Sequence, residues 1–177
     1  MRRPYIPIIL AAFGFFVFLT LLAPRGPGGG EGLLPEGPAP PMQIKTPSGE
    51  SRSLDDLKGK VVLVKFWATW CGPCAMSTPH VQKLYEKYKD AGFEVLGVAL
   101  ENDDGQNIPD FVRQYGVTYT VGMPDPPDLR NGWLSPSAGI PTVFIVDKQG
   151  KVRWSRSGFD PSREHEMDEA VASLLRE

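Results

Sequence analysis

The chain has 177 residues, of which 19 are Gly and 18 are Pro, so these two residues make up 37 of 177, or 21%, against an average of about 12%. Apolar residues at 41% and charged residues at 23% still exclude a wholly disordered chain, and the length suits one ordinary domain with appendages. A formal net charge of −2 provides no electrostatic basis for gripping a phosphate backbone, so we predict no nucleic-acid partner.

An uncharged apolar segment lies close to the N-terminus. Residues 6–23 carry no charge, and as a helix rising about 1.5 Å per residue they would cross most of the roughly 30 Å hydrocarbon core of a bilayer. Arg2 and Arg3 precede the segment, which favours a cytoplasmic N-terminus and export of the rest. A cleaved signal peptide is the alternative, but its apolar core is usually shorter, and Pro24 would directly follow the cut. We predict residues 1–24 to be an uncleaved, single-pass anchor in a bacterial inner membrane, with the remaining chain on the extracytoplasmic (periplasmic) side.

A stretch rich in Pro and Gly follows the apolar segment. Residues 24–41 contain six Pro and six Gly among eighteen positions, with too few apolar side chains to offset the entropy lost on ordering. We therefore predict a linker over residues 25–41 and one folded domain over residues 42–177.

The domain begins with alternating strand-like and helix-like segments. Residues 61–67 form a nearly continuous β-branched and aromatic run, typical of a strand covered on both faces, and residues 93–100 and 142–146 repeat this character. Between the first two runs, residues 74–91 have apolar side chains at helical spacing, with Gly92 as the stop. Strand, helix and strand in this order predict a right-handed crossover between parallel strands.

The later segments predict antiparallel pairing. We predict a second helix over residues 108–115 and a closing helix over residues 162–175. Between them we predict a hairpin with Gly150 in its turn. Parallel strands followed by a hairpin indicate an α/β fold with a central mixed sheet flanked by helices on both faces.

The chain's two cysteines stand in the run Trp70-Cys71-Gly72-Pro73-Cys74, at the start of the first predicted helix. A structural zinc site needs about four protein ligands, and the spacing of the two histidines does not suit one, so we predict no metal. A purely structural disulfide is also disfavoured as the role of the pair, because closing so short a loop would add little stability. A thiolate of Cys71 at a helix N-terminus would face unpaired N–H groups, which predicts a pKa below the free value of about 8.5. We predict a redox-active disulfide in which Cys71 attacks and the more shielded Cys74 resolves, with Pro73 suited to the first helical turn.

Two segments resemble those of a known family. The run from Phe66 to Cys74 resembles the active-site segment of thioredoxin-fold proteins, and Gly139-Ile140-Pro141-Thr142 resembles their cis-proline loop. With the apolar anchor and residues 54–60, the chain resembles the membrane-anchored TlpA/ResA-like branch of thiol–disulfide oxidoreductases over roughly residues 42–177. The resemblance implies a thioredoxin-like fold and an extracytoplasmic enzyme that reduces protein disulfides.

The resemblance also implies roles for individual residues. Pro141 would lie beside the two sulfurs, and the peptide bond from Ile140 would be cis. The dipeptide Gly72-Pro73 resembles that of thioredoxin, whose potential of about −270 mV is reducing. From its place directly before Cys71, Trp70 is expected to cover the disulfide. No cofactor is implied. The expected partners are protein disulfide or thiol substrates, apocytochrome c among them, and a membrane-embedded or exported thiol electron donor.

Lys65 departs from the family's pattern, because similar proteins usually carry a buried acid six residues before the first cysteine. A lysine pointing toward the sulfurs would stabilise a thiolate and raise the reduction potential, whereas one that snorkels to the surface would leave the chemistry unchanged. We favour the surface, because a buried unpaired ammonium is costly. Any electrostatic partner of the site is expected to be Glu101, at the end of the second predicted strand.

Two other classes of function stay open at this point. A thiol peroxidase would share the fold but would need a Thr where Ala68 stands, three residues before the reactive cysteine. A binding or chaperone-like module with an inert disulfide is the second alternative.

Overall fold

A computed structural model describes residues 34–126, 132–135 and 137–177 of the chain. The predicted anchor at residues 1–24, and the predicted linker up to residue 33, lie outside the described residues. Within the part that is described, no helix combines the length and the apolar character needed to span a bilayer.

The described residues form eight strands and three α-helices. The strands are β1 (Gly37–Pro38), β2 (Gln43–Lys45), β3 (Ser51–Ser53), β4 (Val61–Trp67), β5 (Phe93–Ala99), β6 (Thr120–Pro124), β7 (Thr142–Val146) and β8 (Lys151–Ser157). The helices are α1 (Gly72–Tyr88), α2 (Ile108–Tyr115) and α3 (Glu164–Arg176).

The strands form one mixed sheet in the order β1-β8-β7-β4-β5-β6-β2-β3. Strand β4 pairs parallel with β5, with Val61 opposite Phe93, and β5 pairs parallel with β6. Strand β4 pairs antiparallel with β7 on its other side, and β7 forms the predicted hairpin with β8. The predicted mixed sheet, with a parallel pair joined through the first helix, is therefore confirmed.

Strand β4 separates two apolar clusters, because successive side chains of a strand point to opposite faces. Val61, Leu63 and Trp67 belong to the first cluster, whereas Val62, Val64 and Phe66 belong to the second. All three α-helices contribute to the first cluster, through residues that include Val81, Phe111 and Val171. The buried members of the second cluster come from strands and non-helical segments, among them Met42, Leu54 and Trp133. The prediction of helices on both faces is therefore wrong for the described α-helices.

Four strands are absent from the predictions. Strands β1, β2 and β3 have two or three residues each, too few for a period-2 pattern, and β6 contains a Gly and a Pro. Strand β1 lies inside the predicted linker and pairs with β8, with Gly37 opposite Val152. The folded structure therefore extends to the N-terminal side of the predicted boundary at residue 42.

The close approach of β2 to β6 generates a stability prediction. A Cβ at Gly122 would overlap the backbone carbonyl of Lys45, which has little freedom to move because it lies within the paired strand β2. We expect Gly122→Ala to lower the free energy of unfolding by about 1–3 kcal/mol in denaturant titrations. Gly139→Ala is the control, because no atom lies within 4 Å of a Cβ there; equal losses in the two variants would contradict the steric explanation.

Candidate active site

The two cysteines form a disulfide at the N-terminus of α1. Cys71 is the N-cap residue and is 5% exposed, whereas Cys74 is fully buried. The Cys71 Sγ accepts a hydrogen bond from the backbone N–H of Cys74 at 3.2 Å. The helix N-terminus thus directs an N–H group at the sulfur of Cys71, in the position where a thiolate would form on reduction.

The local sequence explains why the disulfide lies at this point. Strand β4 ends at Trp67, and the backbone N–H of Cys71 donates to the carbonyl of Ala68 at 3.2 Å, which turns the chain into the helix. Pro73 occupies the first helical turn, where a missing N–H has no cost. Helix α1 begins at Gly72, two residues before the predicted start, so both residues between the cysteines belong to the helix.

The predicted cis-proline loop lies against the disulfide. The Ile140–Pro141 peptide bond is cis, as the resemblance implied. The carbonyl oxygen of Ile140 is 3.7 Å from the Cys71 Sγ, and Pro141 directly precedes β7. Because β7 is the antiparallel neighbour of β4, the sheet brings this loop to the residues that follow β4.

Two exposed apolar residues precede and follow the cysteines in the chain. Trp70 is 60% exposed and Met76, in the second turn of α1, is 62% exposed. The role of Trp70 as a cover for the disulfide stays a prediction, since most of its surface faces solvent. Sequence reasoning missed Met76, although its position five residues after Cys71 on the predicted helix was available as a signal.

Glu101 contacts the segment that leads to Cys71. Its carboxylate accepts hydrogen bonds from the backbone N–H of Thr69 at 2.6 Å and from the Thr69 hydroxyl at 3.0 Å. Glu101 therefore holds the backbone two residues before Cys71, and its predicted role as an electrostatic partner stays a prediction. A groove of about 420 Å³ lies beside Thr69, Trp70 and Glu101.

Lys65 is fully buried beneath α1, so the predicted surface position is wrong. Its Nζ donates to the Thr78 Oγ1 at 2.8 Å and to the Cys74 carbonyl oxygen at 3.3 Å. Alternation along β4 places Lys65 on the same face as Leu63 and Trp67, which directs its side chain into the first apolar cluster. Burial lowers the pKa of Lys65 from 10.5 to about 7, because desolvation disfavours the charged form.

Two further residues complete the buried polar group around Cys74. The hydroxyls of Ser77 and Thr78 both donate to the Cys74 carbonyl oxygen, at 2.9 Å and 2.8 Å. Burial raises the pKa of Tyr119, whose hydroxyl faces Thr78. Sequence reasoning missed Ser77 and Thr78, which the i+3 and i+4 spacing from Cys74 on a helix would have indicated. Tyr119 is distant in the chain and had no local signal.

Comparisons with known proteins agree with this geometry. The family described as Redoxin matches residues 35–172. The thiol-disulfide oxidoreductase ResA of Bacillus thuringiensis is 36% identical over 115 residues, which are 64% of this chain and 64% of the relative. The match thus spans less than two thirds of that relative's own length.

Two further similar proteins cover more of the chain. The ResA of Geobacillus thermodenitrificans is 28% identical over 154 residues, 86% of this chain and 83% of the relative. A crystal structure of a thiol:disulfide interchange protein of the thioredoxin family from Chlorobium tepidum matches with a TM-score of 0.66 and 31% identity, over 80% of this chain and 98% of that chain.

The buried lysine predicts an unusual dependence of stability on pH. Between its folded pKa of about 7 and its ordinary value of 10.5, the unfolded chain binds a proton that the folded chain does not, so this group makes the protein more stable as the pH rises. The slope is about 1.4 kcal/mol per pH unit. Below pH 7 the full cost of the buried charge is present. We therefore expect Lys65→Met to be more stable than the wild type by about 3–5 kcal/mol at pH 6, and this difference to shrink toward pH 10.

Denaturant unfolding of the oxidised protein across this pH range measures the difference. The control is Lys58→Met, which removes an exposed lysine and is expected to change stability by less than about 0.5 kcal/mol. A difference between the wild type and Lys65→Met that stays constant from pH 6 to pH 10 would show that Lys65 remains charged in the fold.

Proposed function

We propose that this chain, which belongs to the Redoxin family and has a thioredoxin-like fold, is a thiol–disulfide oxidoreductase that acts on protein disulfides. The observation that carries the proposal is the Cys71–Cys74 disulfide at the N-terminus of α1, with the sulfur of Cys71 accepting a backbone N–H. The similar proteins named as thiol-disulfide oxidoreductases support the same chemistry.

In the reductive direction, the thiolate of Cys71 attacks one sulfur of a substrate disulfide. A bond forms between Cys71 and that sulfur, and the other substrate sulfur leaves as a thiolate. Cys74 then attacks the Sγ of Cys71, and the second substrate sulfur leaves with its electron pair. The substrate gains two electrons, and the enzyme is left with the Cys71–Cys74 disulfide, which a separate thiol donor must reduce.

The surroundings of Cys71 suit a polypeptide substrate. Trp70 and Met76, which precede and follow the two cysteines in the chain, are exposed apolar side chains, and the Ile140 carbonyl lies next to the reactive sulfur. Exposed apolar surface at a reaction centre favours contact with another protein surface. We expect an extended segment carrying the substrate cysteine to dock on the surface beside Cys71, which is itself only 5% exposed.

We further propose that the protein is a reductase of exported proteins, anchored in a bacterial inner membrane by residues 1–24. The dipeptide Gly72-Pro73, like that of thioredoxin, supports the reducing direction. The uncharged residues 6–23, preceded by Arg2 and Arg3, support a periplasmic domain. Apocytochrome c, with its paired cysteines, is the substrate that the family resemblance favours, and a membrane-embedded or exported thiol protein is the proposed electron donor.

The alternatives have less support. Ala68 is fully buried and presents only a methyl group where a thiol peroxidase would need a Thr hydroxyl. A binding module with an inert disulfide differs from the proposed enzyme in having no turnover, so an activity assay separates the two.

Reduction of insulin disulfides by dithiothreitol, followed by turbidity, tests the activity. We expect the wild type to accelerate the reaction and Cys71→Ser to abolish the acceleration, because the attacking thiolate is lost. Cys74→Ser keeps the attacking sulfur but lacks the resolving one, so the reduced variant, freed of dithiothreitol before it is mixed with insulin, should accumulate a covalent complex on non-reducing gels. A wild type that does not accelerate the reaction would exclude the enzyme and leave the binding module.

Cell fractionation tests the anchor. In a Gram-negative host we expect the full chain to stay in the carbonate-washed membrane pellet and to be digested by protease added to spheroplasts. A variant lacking residues 1–24 should appear in the soluble fraction and be protected in spheroplasts. Mass spectrometry should find the N-terminal segment intact; a chain that begins just after residue 23 would identify it as a cleaved signal peptide instead.

A further inference from the structure

We propose that Lys65 is the proton acceptor of the resolving step, receiving the thiol proton of Cys74 as Cys74 attacks the mixed disulfide. The inference rests on the proposed function, because it assigns the base for the second of its two sulfur exchanges. Cys74 is fully buried, so bulk water is not in position to remove its proton. A base inside the protein is therefore needed, and the buried amine of Lys65 is the group that the fold brings to Cys74.

The hydrogen bonds of Lys65 hold it at the residue whose proton must be removed. Its Nζ contacts the Cys74 carbonyl oxygen at 3.3 Å, and it contacts Thr78, one turn further along the same helix, at 2.8 Å. The carbonyl oxygen and the Sγ belong to the same residue, so the amine lies beside the cysteine whose thiol must lose its proton. Thr78 keeps the amine in place between turnovers.

The elements packed around Lys65 provide no charge to keep it protonated. Its neighbours on the flanking strands are Gly97 on β5 and Val143 on β7. Met167 and Val171 of helix α3 pack in the same apolar cluster. Among the described residues, no carboxylate lies within salt-bridge distance of Lys65. The titratable groups on this side include the two cysteines and Tyr119, whose hydroxyl reaches Thr78, and three further tyrosines pack at the margin of the same cluster, Tyr85, Tyr88 and Tyr115. With burial lowering the pKa of Lys65 to about 7, an uncharged amine is available near neutral pH.

The proton and the electrons balance as follows. The lone pair of the Lys65 amine takes the proton from the Cys74 thiol, which leaves an ammonium and a thiolate in contact. The thiolate forms the Cys71–Cys74 bond, the bond between Cys71 and the substrate breaks, and the substrate sulfur leaves with the electron pair. Lys65 then returns its proton to the departing thiolate or to solvent, and no further oxidant or reductant takes part.

A two-phase reaction of the reduced full chain with dithiobis(nitrobenzoate) isolates this step. Attack by Cys71 releases the first thionitrobenzoate and leaves the second on Cys71, and attack by Cys74 then releases the second. The rate of the second release is measured from pH 6 to pH 9. In the wild type we expect it to rise and then to level off once the Lys65 amine is uncharged.

Three substitutions separate a base from a charge and from a hydrogen-bond donor. Lys65→Met lacks all three properties, Lys65→Gln keeps a donor for Thr78, and Lys65→Arg keeps the charge but cannot give up its proton. We expect all three to slow the second release at least tenfold at pH 7.5 and to continue speeding up toward pH 9, as the Cys74 thiol ionises unaided. Lys58→Met, which removes an exposed lysine, should match the wild type.

Each contrary result has a definite meaning. A wild-type rate and pH profile in Lys65→Met would overturn the inference, and the same result in Lys65→Gln or Lys65→Arg would show that a donor or a fixed charge suffices. Circular dichroism checks that each variant is folded, and having two neutral variants keeps the test decisive if one is not. The first release reports on Cys71 alone, so its absence from the wild type would count against the proposed function rather than against Lys65.

Discussion

The burial of strand β4 on both faces is the constraint on which the site depends. Six of its seven residues are apolar and fill the two clusters on either side of the sheet, and the seventh, Lys65, is buried with them. A strand held this firmly ends at a defined point, and the residues that follow Trp67 turn at once into α1. The position of the disulfide is thus a consequence of packing in the centre of the sheet, far more than of contacts made by the cysteines themselves.

The same packing sets the polarity around Cys74. Its carbonyl oxygen receives hydrogen bonds from Ser77, Thr78 and Lys65, so the first turns of α1 are attached to the sheet through a polar group inside an apolar cluster. A buried polar group of this kind is stable because its members satisfy one another. Reduction of the disulfide adds sulfur protons and charge to a region that already holds an amine, which makes electron transfer and proton transfer hard to separate at this site.

The sequence predicted best the parts of the structure that rest on local patterns. Strand β4 and helix α2 have the predicted bounds, because a run of β-branched residues and a helical period are visible within a short window. The contact of Glu101 with Thr69 depends on pairing between β4 and β5, and only its location at the sheet edge was predictable. The predicted surface position of Lys65 is wrong because that prediction assumes a charged side chain, whereas strand alternation directs Lys65 into the first apolar cluster. An amine that gives up its charge limits the cost of this burial.

Strand β1 has a mechanical consequence. Gly37 and Pro38 pair with β8, and the N–H of Ala39 donates to the Gly150 carbonyl at 2.9 Å. The start of the described chain is therefore attached to the sheet as its edge strand on the β8 side, with β3 at the other edge. A pulling force applied through residues before 34 therefore loads this two-residue pairing first. This register has two residue pairs against seven in the register of β4 with β5, so we expect it to open before the strand that positions Cys71 is disturbed.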